Sequence, residues 1–328
     1  MARRRLSAAA RPSLRFVSSG AVVLDCCLGG GWPLGRIVNV VGDRSSGKTL
    51  LAIEACANFA RQYRDGMLFY LESEAAFDKE FAETLGLPVD RVEFIEDCVT
   101  VEGACEAIDA CASKAKKAGV PALFVLDSLD ALSDAAELSR GMTDASYGAD
   151  KARRLSEMFR RVTKKVQQAD MLLFIISQVR DKIGVVFGKR VTRSGGRALD
   201  FYATQIVWLK EKGKLHRTVR GIKRPIGIEV QAQVEKNKVG PPFRSCTFPI
   251  LFGYGIDDLA ASLQYLEEAG ALDLVDDGLK KSNLQKFITK ANRLPDKEYR
   301  ALVRRAGKAV RRVWREVEDK FAPARRKY

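Results

Sequence analysis

A glycine-rich segment that ends in a lysine and a threonine carries residue types that hold polyphosphates. The segment is VVGDRSSGKT, residues 40–49, and it lies between an apolar run and a stretch with helical spacing. Glycines let the backbone wrap closely around phosphates, and the loop N–H groups and the helix N-terminus supply positive potential. The lysine reaches the β and γ phosphates and the threonine ligates Mg²⁺. The sequence therefore predicts a site for ATP with Mg²⁺, built from Gly42, Asp43, Arg44, Ser45, Ser46, Gly47, Lys48, Thr49 and Leu50.

Acidic and amide side chains at the ends of predicted strands supply further parts of such a site. Asp127 closes the run ALFVLDS, where a carboxylate can hold the metal through water. Glu72 and Glu74 both follow the run MLFYL, and spacing alone does not decide which of them polarises the attacking water. Gln178 ends the run MLLFIISQ, where a carboxamide can contact the γ phosphate. The alternative for each residue is a hydrophilic strand end with no chemical role.

The order of apolar runs indicates the elements that position these residues. Runs at 36–42, 67–73, 122–128, 171–178 and 204–210 alternate with helix-compatible stretches at 49–65, 101–118 and 148–169. Buried strands that alternate with helices predict an α/β fold, a mostly parallel sheet flanked by helices. Two later runs, 227–237 and 243–253, alternate polar and apolar residues and predict strands that extend one edge.

The chain changes character after Gly255, where short helical patterns precede a long segment from Asp296. That segment predicts a helix with one apolar and one arginine-rich face. The apolar stripe, which we expect to dock on the body, consists of Tyr299, Leu302, Val303, Ala306, Val310, Val313, Trp314, Val317 and Phe321. We predict a basic arm at 1–15, a nucleotide-binding core at 16–257 and a small basic helical domain at 258–328.

Charge and composition indicate a polyanionic partner. The 328 residues carry a net charge of +15, with five arginines and no acid in 1–15, and 17 Lys/Arg against five Asp/Glu in 279–328. Basic ends on a nearly neutral body favour nucleic acid, although a solvated tail is the alternative. Seven cysteines without a Cys-x-x-Cys pair and a single histidine disfavour a zinc site or an imidazole triad. No apolar run suits a membrane span or a secretory signal, so we expect a cytoplasmic, nucleoid-associated protein without a membrane partner.

Six blocks resemble the RecA-type recombinases of bacteria and phages, and they extend over about three quarters of the chain. They are GRIVNVVGDRSSGKT, ESEAAFD, LFVLDSLDAL, SQVRDKIGVVFGKRVTRSGGRALDFYAT, VEKNKVGPPF and ILFGYGI. The resemblance implies that Glu74 is the catalytic glutamate and Gln178 the sensor of the γ phosphate. It also implies that Asp78 contacts adenine and that Phe81, a tyrosine in most of the family, stacks on it.

The resemblance further implies a filament on DNA. The paired lysines that reach the γ phosphate of a neighbouring subunit correspond to Lys236 and Lys238, so catalysis would involve Lys48, Glu74, Gln178 and this pair. A head-to-tail contact that does not close generates a helix. The implied function is an ATPase that assembles on single-stranded DNA, pairs it with homologous duplex and exchanges strands. A mediator or a single-strand-binding protein is a further possible partner.

Two loops correspond to the DNA-binding loops of this family. The first spans 140–153 and is followed by another basic position, and the second spans 181–197. Their cations can neutralise phosphates, their glycines permit close approach of the backbone, and their apolar side chains can wedge between bases. The residues assigned to DNA by the resemblance are Tyr147, Arg153, Arg160, Lys182, Ile183, Arg193, Gly195, Gly196 and Arg197.

The chain also departs from the family pattern. Few residues precede RFVSSG, Ala75 replaces a usual histidine, and Tyr254 replaces a usual acid. The C-terminal end is basic where the family has an acidic tail, so we expect it to attract duplex DNA. Two rival functions are a ring-forming motor, for which 177–204 has the wrong loop, and an accessory paralogue that binds ATP and DNA without catalysis.

Overall fold

A ten-stranded sheet forms the centre of the protein. The structure, a computed structural model, describes residues 14–74, 77–135, 149–181, 191–193 and 196–325. Its strands are β1 Phe16–Val17, β2 Trp32–Pro33, β3 Ile37–Gly42, β4 Met67–Glu72, β5 Val92–Ile95, β6 Ala122–Asp127, β7 Met171–Asp181, β8 Val191–Arg193, β9 Gln205–Val219, β10 Ile222–Asn237, β11 Ser245–Leu251 and β12 Gly255–Ile256. Its helices are α1 Val22–Leu28, α2 Lys48–Gln62, α3 Lys79–Thr84, α4 Val101–Ala118, α5 Ala149–Gln168, α6 Gly196–Tyr202, α7 Asp258–Glu268, α8 Leu284–Ala291 and α9 Asp296–Phe321.

The order of strands across the sheet is β12-β11-β10-β9-β3-β7-β6-β4-β5, and β8 pairs with β7. Strands from β9 to β5 run parallel, and β10, β11 and β12 extend the sheet in antiparallel order. The predicted α/β fold with a mostly parallel sheet is therefore confirmed. Parallel strands place their carboxyl ends at one edge, so the polar residues that follow β3, β4, β6 and β7 are gathered there.

Two apolar clusters, one on each side of the sheet, hold the helices in place. Helices α1, α2, α7 and α9 contribute to the first cluster, and α4, α5 and α6 contribute to the second. Local sequence explains why these segments are helical. In α4, for example, the Thr100 hydroxyl accepts the Gly103 N–H at 3.0 Å, and Gly119 ends the helix with a φ of 69°. Burial of each large apolar side chain then stabilises the packing by about 1.5–3 kcal/mol.

The C-terminal helix α9 docks on the body through most of the predicted stripe. Leu302, Ala306, Val310 and Val313 are buried, in the same cluster as α1 and α2. The last turns differ from the prediction, because Phe321 is 80% exposed. A domain boundary at residue 257 stays a prediction.

Strands β9 and β10 continue far beyond the sheet. Strand β3 pairs with β9 only as far as Leu209, and β11 pairs with β10 only from Gly227 onward. Residues 210–215 of β9 lie opposite 227–231 of β10, which also pair with β11, so only residues 216–226 form a two-stranded ribbon without a third strand. The sequence indicated a strand that ends at residue 210, but β9 extends to Val219.

None of the helices in the described ranges is long and apolar enough to cross a membrane.

Candidate nucleotide and DNA site

The loop between β3 and α2 has the geometry of an anion cradle. Gly47 precedes the first turn of α2 with a φ of 91°, and a Cβ on Gly42 would lie 2.2 Å from the Ser46 hydroxyl. The main-chain oxygen of Asp43 accepts hydrogen bonds from Ser46 Oγ at 2.8 Å and from Lys48 Nζ at 2.7 Å. The loop is thus closed around the start of a helix, where N–H groups point outward.

The remaining loop residues divide between surface and core. Asp43, Arg44 and Ser45 are exposed, whereas Leu50 is buried and anchors the first turn of α2. Burial lowers the pKa of Lys48, and the nearby carboxylates of Asp127 and Glu74 oppose that shift. A phosphate group in the cradle would provide the negative charge that stabilises a partly buried ammonium.

A buried tyrosine holds the carboxylate predicted to support the metal. Asp127 Oδ2 accepts hydrogen bonds from Thr49 Oγ1 at 3.0 Å and from Tyr70 OH at 2.8 Å. Burial raises the pKa of Asp127, and the two hydrogen bonds oppose this shift because they stabilise the carboxylate. Tyr70 is 0% exposed, and burial together with the Asp127 charge raises its own pKa well above the usual value. The sequence interpretation missed Tyr70, whose only signal was a hydroxyl inside the apolar run that precedes Glu72.

The donor set fits a magnesium ion that is shared with the nucleotide. In the described ranges no group of three or more His, Cys, Asp or Glu side chains is arranged to hold a metal. Mg²⁺ is usually bound by one or two protein oxygens together with phosphate oxygens and water, rather than by a full protein cage. Thr49 and Asp127 provide such a pair beside the phosphate loop.

Strand register brings the predicted catalytic glutamate next to the predicted sensor. Gly42 of β3 pairs with Gln178 of β7, and Glu72 of β4 pairs with Asp127 of β6. Glu74 Oε1 accepts hydrogen bonds from Gln178 Nε2 at 3.0 Å and from a serine hydroxyl, Ser128 Oγ, at 2.5 Å. Glu72 instead accepts the main-chain N–H of Glu74 at 3.0 Å. Of the two glutamates that spacing left open, Glu74 is the one in contact with Gln178.

Two further residues that sequence reasoning missed support this arrangement. Ser128 follows Asp127 directly, and its main-chain N–H donates to Ser73 Oγ at 2.9 Å. Asp130 accepts the main-chain N–H of Gln178 at 2.7 Å and so fixes the end of β7. Both lie in the block LFVLDSLDAL, in which the sequence interpretation assigned a role to Asp127 alone.

The residues assigned to adenine lie at the start of α3. Asp78 accepts the Phe81 N–H at 2.9 Å and caps this helix, and Phe81 is half-buried against the apolar cluster that includes α2. These contacts hold both side chains in place at the start of α3.

The lysine pair lies at the C-terminal end of α6. Lys236 Nζ donates to the main-chain oxygens of Asp200 and Phe201, and Lys238 Nζ donates to that of Phe201 at 3.2 Å. Cations at this position are stabilised by the helix dipole. Burial, and then the charge of Lys238, lower the pKa of Lys236 to about 8. Phe201, which sequence reasoning also missed, is 72% exposed beside the pair.

The residues predicted to bind DNA are placed in three ways. Arg153 and Arg160 are exposed on α5, and Gly196 and Arg197 belong to the first turn of α6. Arg193 is only 7% exposed, because its guanidinium donates to Asn39 Oδ1 and pairs with Asp200, and its assignment to DNA stays a prediction. The predictions for Tyr147, Lys182, Ile183 and Gly195 fall outside the described residues.

A phosphate-type loop at the carboxyl end of a central parallel strand, with a carboxylate at the end of β6, which β7 separates from β3, defines a nucleotide-binding α/β core. The family model for the RecA N-terminal domain matches residues 3–257. Protein RecA of Synechococcus sp. (strain CC9605) is 37% identical over 268 residues, which cover 82% of this chain and 68% of that protein. Protein RecA of Nostoc punctiforme and of Synechococcus elongatus are each 36% identical over 82% of this chain, and the matches cover 71% and 72% of those proteins. The chain belongs to the RecA family.

Proposed function

We propose that this chain is an ATP-dependent homologous recombination protein that acts in DNA repair. It forms filaments on single-stranded DNA, pairs that strand with homologous duplex and exchanges strands, as a DNA-dependent ATPase. Family membership supports recombination and repair as the function. The roles of individual residues and the filament are the finer parts of this proposal.

The observation that carries the proposal is a chain of contacts between the phosphate loop and the predicted DNA loop. Gln178 pairs with Gly42 in the sheet and contacts Glu74 through its side chain. It lies on β7, which leads directly into residues 181–197. At the other end of that segment, Asp200 and Phe201 accept the hydrogen bonds of the lysine pair. Both ends of the second loop are thus attached to groups assigned to the γ phosphate.

The geometry suits a division of roles in ATP turnover. Bound Mg²⁺ would neutralise charge on the phosphates, and Thr49 and Asp127 are the residues that would hold it. The loop N–H groups and Lys48 bind the phosphates, and Tyr70 keeps Asp127 in orientation and in its charged form. Glu74 Oε1 orients the attacking water, and its present partners, Ser128 and Gln178, fix where that oxygen points.

Assembly would complete the site. Lys236 and Lys238 lie on a helix end in the single chain, and we propose that in a filament they reach the γ phosphate of the neighbouring subunit. Burial and the charge of Lys238 lower the pKa of Lys236 to about 8, and a phosphate beside it would favour the charged form. The exposed ring of Phe201 provides apolar area for the same subunit contact.

Single-stranded and duplex DNA are the proposed partners, and a mediator or a single-strand-binding protein would be a further one. Such partners place the protein in the cytoplasm at the nucleoid. No observation on the described residues favours the accessory alternative. The contact between Glu74 and Gln178 is what a catalytic chain requires, whereas a chain that only binds ATP would not need it.

The test is ATP turnover with and without single-stranded DNA, together with electron microscopy of the same mixtures. We would compare the wild type with Lys238→Ala and with Lys116→Ala, a control at an exposed lysine on α4. The proposal predicts DNA-stimulated turnover and filaments for the wild type and the control, and loss of stimulation for Lys238→Ala with an unchanged unfolding transition. Binding of DNA without turnover or filaments in the wild type would instead support the accessory function.

A further inference from the structure

Arg193 is the last residue of β8, the strand that pairs with β7 just after the predicted sensor. Its Cα lies opposite that of Val179, the residue that follows Gln178. An arginine in a glycine-rich basic segment is expected to face solvent, yet this side chain is buried. A buried guanidinium is stable only where partners replace the water that it has lost. The partners of Arg193 therefore indicate what the residue does.

The first partner is an asparagine at the centre of β3. Arg193 Nη1 donates to Asn39 Oδ1. The Asn39 amide nitrogen donates to the Ser177 hydroxyl at 2.9 Å and to the main-chain oxygen of Ile175 at 3.1 Å. Both Asn39 and Ser177 are fully buried. Residues of β7 thus hold the nitrogen side of the amide, and its buried oxygen would lose a donor if the guanidinium left.

The second partner belongs to α6 and connects Arg193 with the lysine pair. Arg193 Nη2 pairs with the Asp200 carboxylate, and the main-chain oxygen of Asp200 accepts a hydrogen bond from Lys236 Nζ. Burial and the charge of Lys238, with a smaller effect from the charge of Arg193, lower the pKa of Lys236 to about 8. One guanidinium therefore joins the interior of the sheet to the helix end on which the lysine pair lies.

This arrangement disfavours a contact between Arg193 and a DNA phosphate. Only its outer end is open to solvent, because the side chain of Asp200 is 64% exposed and that of Arg193 is 5% exposed. To reach a phosphate, the guanidinium would have to leave both of its partners. The planar guanidinium uses two different nitrogens for these partners, a geometry that an ammonium group cannot reproduce.

We infer that Arg193 is a positioning residue for DNA-stimulated ATP turnover and not a ligand of DNA phosphates. It holds β8 and α6, the described elements at the end of the second predicted DNA loop, against β3 and β7. The inference rests on the proposed function and adds to it a named connection. Through Asn39 and Ser177, a displacement of β8 reaches the strand that carries Gln178, and through Asp200 it reaches the lysine pair.

The first measurement is fluorescence anisotropy of the full chain with a labelled 40-nucleotide single strand, over a series of salt concentrations. Arg193→Met should leave the slope of log affinity against log salt at the wild-type value, as should the control Lys117→Met at the exposed end of α4. Arg197→Met, at a residue assigned to DNA in the same segment, should lower the slope by about 0.7. An equal decrease in Arg193→Met would overturn the inference, because Arg193 would then neutralise a phosphate.

The second measurement is ATP turnover with and without the same single strand. Arg193→Met should reduce DNA-stimulated turnover at least about tenfold, which is an ordinary size for coupling between two sites. The KM for ATP should stay at the wild-type value, because the phosphate loop is unchanged. Arg193→Lys should not restore the rate, since its ammonium cannot bridge Asn39 and Asp200. Full stimulation in Arg193→Lys would instead indicate a charge that acts on DNA directly, and the inference would fail.

A variant inside the sheet tests the same contact from a side that DNA does not reach. Asn39→Leu removes the buried acceptor, and the double variant Arg193→Met with Asn39→Leu removes both partners. Two residues that act through one contact do not give additive effects. The double variant should therefore turn over ATP at the rate of Arg193→Met alone, a comparison that holds even if Asn39→Leu alone does not fold. A further tenfold loss in the double variant would contradict the inference.

Urea unfolding of the same variants separates this inference from the proposed function. The double variant should be more stable than Asn39→Leu, because it leaves no buried guanidinium without its acceptor. If DNA does not stimulate turnover in the wild type, the proposed function is rejected. The contact between Arg193 and Asn39 would still be supported by a more stable double variant, and it would be rejected by losses of stability that add.

Discussion

Replacement of Tyr70 by phenylalanine removes one hydroxyl from the nucleotide site and leaves the shape of the core intact. That hydroxyl donates to Asp127 Oδ2 at 2.8 Å, and the side chain that carries it is 0% exposed. A hydrogen bond to a charged group contributes about 1.5–3 kcal/mol. Because Thr49 donates to the same oxygen at 3.0 Å, the carboxylate keeps one partner. We therefore expect the free energy of unfolding to fall by the lower part of this range, about 1.5–2 kcal/mol.

The same change should alter the pH dependence of nucleotide binding. Burial raises the pKa of Asp127, and the Tyr70 hydrogen bond opposes that shift, so its loss moves the pKa further up. Metal binding needs the deprotonated carboxylate. The Mg²⁺-dependent affinity for ATP should accordingly begin to fall at a higher pH in Tyr70→Phe than in the wild type as the solution is acidified.

The assays are urea unfolding at neutral pH and Mg²⁺-dependent binding of a fluorescent ATP analogue from pH 4.5 to 8. Tyr63→Phe is the control, because Tyr63 lies at the end of α2 and its hydroxyl accepts from Gln62 at 3.1 Å. If Tyr70→Phe and Tyr63→Phe have the same stability and the same pH profile, the assignment of Tyr70 as a positioning residue for Asp127 is refuted.

Three further predictions concern the lysine pair, the basic helix and the core. The folded pKa of Lys236 is about 8 and its usual value is 10.5, so this group makes the free energy of unfolding rise with pH between these values. Lys238→Gln removes a neighbouring charge and should reduce that rise in urea titrations, and an identical rise would contradict the charge coupling. Arg304→Gln should lower the slope of log affinity against log salt for duplex binding by about 0.9. Arg312→Gln should lower it less, because the Arg312 guanidinium already pairs with an acid at 2.9 Å. Slopes equal to that of the wild type in both variants would exclude α9 as a duplex contact. Leu263→Ala at a fully buried position of α7 should cost about 2–5 kcal/mol in urea unfolding, and a loss below 1 kcal/mol would mean that the C-terminal region is not part of the folded core.

Much of the fold followed from local pattern. The apolar runs at 36–42, 67–73, 122–128 and 171–178 correspond to β3, β4, β6 and β7 within a few residues. Such runs are informative because a strand buried on both faces must be apolar along its whole length. The ribbon escaped prediction for the converse reason, since residues 216–225 are exposed and carry no apolar periodicity.

The sequence predicted individual residues of the candidate site better than it predicted the contacts between them. Only a few types of side chain can perform the chemistry of such a site, so the sequence alone could predict Lys48, Thr49, Asp127 and Gln178. Their neighbours depend on which strands pair and in which register, and local periodicity does not contain that information. Arg193 illustrates the limit, because a cation in a glycine-rich basic segment reads as exposed, yet Asn39 and Asp200 bury it.

The sequence by itself determined the phosphate loop, the alternation of strands and helices, and the basic ends, because each depends on residues close together in the chain. The tertiary structure decided that Glu74 rather than Glu72 meets Gln178, that Tyr70 orients Asp127, and that the lysine pair lies on the end of α6. These contacts join residues far apart in sequence. The first two exist because parallel pairing brings the carboxyl ends of separate strands to one edge of the sheet, where a shift of register by one residue would separate them. The third exists because antiparallel pairing brings the end of β10 beside the start of β9, which directly follows α6.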